Sequence, residues 1–304
     1  MILHKDPVIF KQVLSATAAH MSLLDVGIVE KDYFVTLFLK RISERLPNVI
    51  FKGGTSLSKC HKAIQRFSED IDLSVETEAA RLSEGPRKRL KQDILAIIDE
   101  LGFVLVNPGE VRSRRDFNRY VIDFQSASSY SFLKQHLIVE TAVYIKAFPN
   151  ELMGASSYVY DFMLASGFEN EIRQYEMEPF SIKVLSRERT FIDKVFAIAD
   201  YYLSGKVESY SRHIYDLYKL LPGIVFDEAF RSLVSEVREV RRPHGTCLSA
   251  QDGVDLTALL RTIRDTDFYK ADYEKITCTL LFEDVSYAQA STVLDALLSC
   301  GCFE

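Results

Sequence analysis

The sequence has no tryptophan, no apolar run of the roughly 18 residues that cross a bilayer, and no CxxC pair among Cys60, Cys247, Cys278, Cys300 and Cys302. The missing tryptophan leaves 15 Tyr and 20 Phe to supply the aromatic core. The missing apolar run predicts a chain without membrane contact. The cysteine spacings exclude zinc-ribbon and thioredoxin-type chemistry, and Cys300 and Cys302 read as reduced thiols. The six histidines are scattered without metal spacing. A P-loop (GxxxxGK[ST]), a nucleophile elbow (GxSxG) and the HRD and DFG motifs of kinases are all absent. MILHKDPVIFKQVL lacks the basic-then-apolar-then-small order of a secretion signal, which predicts a cytoplasmic protein. A net charge of −6 excludes a globally basic nucleic-acid binder and leaves room for a local basic patch.

What is present is an ordinary globular composition, 47% hydrophobic and 26% charged over 304 residues, enough for two modest domains. Helices are predicted over 8–23 and Val29–Arg45; in the second, Val29, Tyr33, Phe34, Leu37 and Phe38 recur at three- and four-residue steps. Pro47 and Asn48 break it. Val49-Ile50-Phe51 reads as a short buried strand ending at Gly53-Gly54, with Thr55 or Ser56 capping a helix to about Gln65. Ile71–Val75 alternates as a half-buried strand. A charged helix is expected over Glu84–Leu101, and strands over Arg119–Phe124 and Leu137–Ile145. Beyond about Ser181 the pattern turns helical, with Arg187–Leu203 and Arg212–Leu221 the clearest stretches and three or four more helices following. The fold class is therefore α+β followed by a mainly helical domain, divided as 1–180 and 181–304.

The chemistry concentrates in FKGGTSLSKCHKAIQRFSEDIDLSV, Phe51 to Val75. Two glycines after a buried strand let backbone approach a ligand closely, and a helix start offers unpaired N–H groups to phosphate. Gly53, Gly54, Thr55 and Ser56 are the candidate phosphate cradle, with Lys59 one turn further. Asp70 and Asp72, two apart on a strand, share a face. Paired carboxylates repel unless a cation lies between them, and Mg²⁺ or Mn²⁺ suits an oxygen-rich site beside a triphosphate. A glycine turn or a DxD alone is common. The order strand, Gly-Gly-Thr-Ser, helix, DxD strand is what metal-assisted phosphoryl transfer needs.

These residues resemble the polymerase-beta-type nucleotidyltransferase superfamily, and more narrowly the AbiEii/AbiGii family of bacterial nucleotidyltransferase toxins. Glu30-Lys31-Asp32-Tyr33-Phe34-Val35, Gly53 to Lys59, Ser68 to Leu73, Lys194, and Arg212-His213-Ile214-Tyr215-Asp216-Leu217 carry the resemblance, with Ala271 to Lys275 also similar. The resemblance implies a small mixed sheet flanked by helices, then a helical domain. It implies transfer of a nucleotide from a nucleoside triphosphate to an acceptor, with release of pyrophosphate. It further implies RNA as acceptor, at the 3′ end of tRNA, and a toxin–antitoxin role in phage defence whose antitoxin usually forms no stable complex with the toxin. Asp70 and Asp72 are implied as metal ligands and catalytic acids. Lys194 is implied at phosphate, and Asp216 as its orienting group or a contact to base or ribose. The superfamily's third carboxylate falls on a later strand; Glu140, among apolar neighbours, is the better candidate and Asp123 its competitor. The helical motif often reads Arg-Asp where this chain has Arg212-His213; His213 receives no catalytic role. Arg112, Arg114, Arg115 and Arg119 form a basic segment able to guide an RNA backbone. Transfer to a protein hydroxyl, or a non-catalytic nucleotide-binding module, are the alternatives.

Overall fold

The computed structural model describes residues 2–23, 25–77, 82–127 and 136–304. The chain divides into two compact units, Met1–Cys60 with Ser68–Val184, and His61–Phe67 with Leu185–Glu304. Where the sequence reading draws one cut near residue 180, the short segment 61–67 is counted with the second unit.

The first unit is built on seven strands: β1 Val49–Lys52, β2 Ile71–Val75, β3 Val104–Leu105, β4 Phe117–Asp123, β5 Leu137–Ala142, β6 Asn150–Ala155 and β7 Phe180–Leu185. Their order is β3-β4-β5-β2-β1-β7-β6. The sheet is mixed: β1 is antiparallel to β2 and parallel to β7, while β5 is parallel to β2 and antiparallel to β4. Helices α1 (Pro7–His20), α2 (Val26–Arg45), α3 (Gly53–Lys59), α4 (Glu84–Glu100), α5 (Tyr158–Ala165) and α6 (Glu169–Gln174) accompany it. Asp25 starts α2 by accepting from Gly27 N at 2.8 Å, the expected N-cap chemistry. Val29, Tyr33, Phe34 and Phe38 are buried, as their spacing predicts, and Leu37 is half-buried against the same core. Phe34 packs its ring against Phe10, Phe103 and Phe124, drawing α1, α2 and the end of β4 into one core.

Two local expectations need correcting. The helix after the glycines begins at Gly53 with Lys52 as its cap, not at Thr55 or Ser56, and ends at Lys59, not near Gln65. It ends early because the following residues are committed elsewhere. Phe67 N donates to Leu280 O, Phe282 N donates to Gln65 O, and Arg66 bridges to Leu281, all inside the second unit. Strands β3, β6 and β7 add to the four that the sequence pattern predicts.

The second unit is helical: α7 (Arg187–Leu203), α8 (Arg212–Leu220), α9 (Glu228–Arg241), α10 (Leu256–Asp265) and a last helix over Thr292–Ser299, with shorter turns between. Ser186, Asp227 and Asp255 each accept a backbone N–H at a helix start. Its buried side chains include Phe191, Val195 and Phe196 of α7 and Leu217, Val237, Leu260 and Leu294. Among the described residues no helix is long and apolar enough to cross a membrane.

Candidate active site

β1 ends in a turn that only glycine tolerates well. Gly53 has φ +80°, in the left-handed region. Beside it, β2 places Asp72 opposite Lys52. A Cβ added to Gly53 would lie 2.0 Å from Asp72 Oδ2. The Asp72 carboxylate therefore lies over the glycine turn, in space that any side chain at 53 would fill. The two halves of the sequence motif meet at this point.

Across the sheet, β5 sets Glu140 opposite Asp72, and β4 sets Arg119 opposite Glu140. Directly paired residues point to the same face. Arg119 Nε lies 3.7 Å from Glu140 Oε1. Asp123 lies at the far end of β4 opposite Val104, with His136 at 3.7 Å. The carboxylate in register with Asp72 is thus Glu140. Among the described residues no group of three or more His, Cys, Asp or Glu is arranged to hold a metal ion. Asp70, Asp72 and Glu140 are neighbours in sequence or register without forming a closed trio. Their all-oxygen donor set, with Asp72 against a bare backbone turn, still fits a hard divalent ion.

The hydroxyls of the turn face inward. Thr55 Oγ1 donates to Asp70 O at 2.6 Å and shares a 2.9 Å hydrogen bond with Ser68 Oγ. Ser56 Oγ donates to Gly53 O at 2.9 Å. Both side chains are buried; Thr55 braces the loop that carries Asp70, and Ser56 braces the glycine turn itself. Gly54 follows in the first turn of α3. Lys59, expected at phosphate, is elsewhere: its buried ammonium donates to Asp32 Oδ1 at 2.5 Å and Thr36 Oγ1 at 2.6 Å. Breaking such a buried pair by removing one partner costs about 3–5 kcal/mol.

That pairing explains the charged run in α2. Glu30, Lys31 and Asp32 are all buried. Glu30 accepts from Ala127 N at 2.6 Å and Ser126 Oγ at 3.0 Å. Lys31 donates to His136 O and lies 3.3 Å from Glu69 Oε2. Asp32 takes Lys59 and also Tyr158 N, the latter at 2.8 Å. Three consecutive charges thus fasten the chain after β4, the chain before β5, the acidic loop and α3.

The second unit carries its own buried cluster. Asp216 accepts two hydrogen bonds from Arg66, Nε at 2.6 Å and Nη2 at 2.8 Å, and a third from Lys194 Nζ at 2.6 Å. His213 Nδ1 lies 3.3 Å from Lys194 Nζ. Burial alone would raise the Asp216 carboxyl, but Arg66 and Lys194 outweigh it and hold it well below the usual carboxylate range. Burial, with repulsion from Arg66 and Arg212, lowers Lys194 despite the pull of Asp216. Burial, then Lys194 and Arg212, keeps His213 well below its ordinary value and therefore neutral.

Comparison with known proteins gives the family and the fold. The family model described as nucleotidyl transferase AbiEii toxin, type IV toxin–antitoxin system, matches residues 37–291. The chain belongs to the AbiEii family. It is thus a nucleotidyltransferase toxin, and membership implies a nucleoside triphosphate substrate and an antitoxin partner. Among solved structures the chain resembles MenT4, a nucleotidyltransferase toxin from Mycobacterium tuberculosis. The two share 16% identity and a TM-score of 0.57 over 94% of this chain and 88% of that one, which establishes a common fold. No curated protein matches the chain. Within the Asp216 cluster, Arg66 is the residue that sequence reasoning misses. Its only signal is position, an arginine two residues ahead of Ser68-Glu69-Asp70. Glu30 to Asp32 stand out as a motif, but their partners lie too far along the chain to be read.

Proposed function

We propose that this toxin transfers a nucleotide from a nucleoside triphosphate to RNA, at the 3′ end of tRNA, with Mg²⁺ or Mn²⁺ held by Asp70 and Asp72. The observation that carries this reading is the Asp72 carboxylate lying over the Gly53 turn. Backbone of Gly53, Gly54, Thr55 and Ser56 takes the triphosphate there, since the two hydroxyls are already engaged. Glu140, in register with Asp72, is the third carboxylate. When bound, the divalent ion neutralises triphosphate charge and stabilises the departing pyrophosphate. Lys194 is proposed as a phosphate-contacting cation: unlike Lys59 at Asp32, it can leave its carboxylate partner Asp216, because Arg66 still pairs that group. Exposed Arg112, Arg114, Arg115 and Arg119 attract the RNA backbone. The 112–118 turn that presents the first three is closed by Asn118, which accepts from Arg112 N at 2.8 Å and donates to Arg112 O at 3.1 Å.

Modifying tRNA in the cytoplasm would arrest growth, an outcome suited to phage defence, with the antitoxin opposing it without a lasting complex. The test is incubation of the purified protein with each labelled nucleoside triphosphate, divalent metal, total RNA and cell lysate. Label on tRNA supports the reading; label on protein instead would reassign the acceptor.

A further inference from the structure

Four charged side chains stand in register across four adjacent strands. Lys52 on β1 opposes Asp72 on β2, Asp72 opposes Glu140 on β5, and Glu140 opposes Arg119 on β4. The row reads cation, acid, acid, cation on one face of the sheet. Two adjacent carboxylates repel one another, and a cation at each end offsets that repulsion.

The two cations differ from the others near the motif. Lys59 is buried against Asp32 and Thr36, and Lys31 against Glu69. Lys52 is half-buried, and its side chain makes no hydrogen bond or ion pair among the described residues. It immediately precedes Gly53, on the glycine-turn side of Asp72. Arg119 has a side chain 47% exposed, spans a loose 3.7 Å to Glu140, and ends the basic segment that begins at Arg112. With strands about 4.8 Å apart, three steps separate Lys52 and Arg119 by roughly 14 Å at the backbone. They are placed to meet two different phosphate groups.

We infer that this row orients the two substrates: Lys52 binds the triphosphate of the incoming nucleotide over β1, and Arg119 binds a backbone phosphate of the acceptor RNA over β4, with the carboxylates between them. This inference rests on the proposed transfer to RNA. In it, Lys52 takes the phosphate-binding role that Lys59 is too deeply paired to perform.

The experiment measures direct binding to Lys52→Gln and Arg119→Gln proteins, without turnover. One arm titrates each of the four nucleoside triphosphates as analogues that cannot be cleaved between the α- and β-phosphates. The other titrates tRNA over a range of salt. Replacing a cation that donates to phosphate by neutral glutamine weakens binding about tenfold or more. Lys52→Gln is expected to lose that factor for the triphosphate and to bind tRNA as the parent does. Arg119→Gln is expected to retain triphosphate affinity, weaken tRNA binding, and reduce the salt slope by about one. Circular dichroism confirms that both variants fold. Unchanged triphosphate affinity in Lys52→Gln, an unchanged salt slope in Arg119→Gln, or the reverse pattern would overturn the inference. If the parent binds triphosphate but no tRNA, the RNA reading and the Arg119 assignment fall together, while the triphosphate arm still decides Lys52.

Discussion

Replacing Gly53 by alanine perturbs the site with a single methyl group. Residue 53 has φ +80°, and a left-handed conformation costs a residue with Cβ roughly 1–2 kcal/mol. The new Cβ would also stand 2.0 Å from Asp72 Oδ2, 2.9 Å from Cγ and 3.2 Å from Cβ. Rotation of Asp72 about χ1 moves Oδ2 and Cγ away, while its Cβ, which rotation leaves in place, needs a backbone shift of a few tenths of an ångström. The aspartate must leave its rotamer, at about 0.5–1.5 kcal/mol. The total, about 1.5–3.5 kcal/mol, corresponds to a fall in Tm of roughly 3–14 °C. Activity should fall much further, towards that of Asp72→Ala, since the same methyl displaces a carboxylate assigned to the metal. Gly109→Ala is the control, because its added Cβ meets nothing within 4 Å. Thermal denaturation and nucleotide transfer on the three proteins provide the measurement. A Gly53→Ala protein with parental Tm and parental transfer would refute the reasoning.

Three further expectations follow from the buried charges. Lys59→Met leaves Asp32 buried and unpaired, so urea denaturation should show a loss of about 3–5 kcal/mol, partly recovered in the double variant with Asp32→Asn. His213 is held neutral in the fold, so below its unfolded pKa of about 6.5 only the unfolded chain gains a proton, and stability should fall with pH by up to about 1.4 kcal/mol per unit. His213→Asn should flatten that slope between pH 6.5 and 5; an unchanged slope would show that His213 titrates freely. Asp216, with its folded pKa depressed, adds stability above its unfolded value near 3.9 that is lost as pH falls. Asp216→Asn should therefore reduce stability at neutral pH, with a gap to the parent that narrows in acid denaturation.

The sequence is most informative where local pattern and chemistry coincide. The alternation of Ile71 to Val75 marks β2, the glycine pair marks the turn, and the stripe from Val29 to Phe38 marks the core face of α2. It is least informative where the deciding partner is distant. Glu30, Lys31 and Asp32 are charged and would be expected at the surface, yet each is buried because a partner far along the chain satisfies it. Lys59 follows the glycine turn at a spacing that suits phosphate, and only the tertiary fold turns it towards α2. Strand β3 is two residues long, and β6, at the sheet edge, lacks alternation, so neither offers a period to detect. Arg66 follows the same rule: its partner Asp216 is 150 positions away.

The most direct measurement of metal-dependent transfer to RNA uses labelled nucleotide and total RNA with the parent protein and with Asp72→Ala, with metal present and with metal chelated. Labelled tRNA from the parent with metal alone, and none from a folded Asp72→Ala protein, is the predicted result. Undiminished transfer by Asp72→Ala, or transfer that persists after chelation, would contradict it.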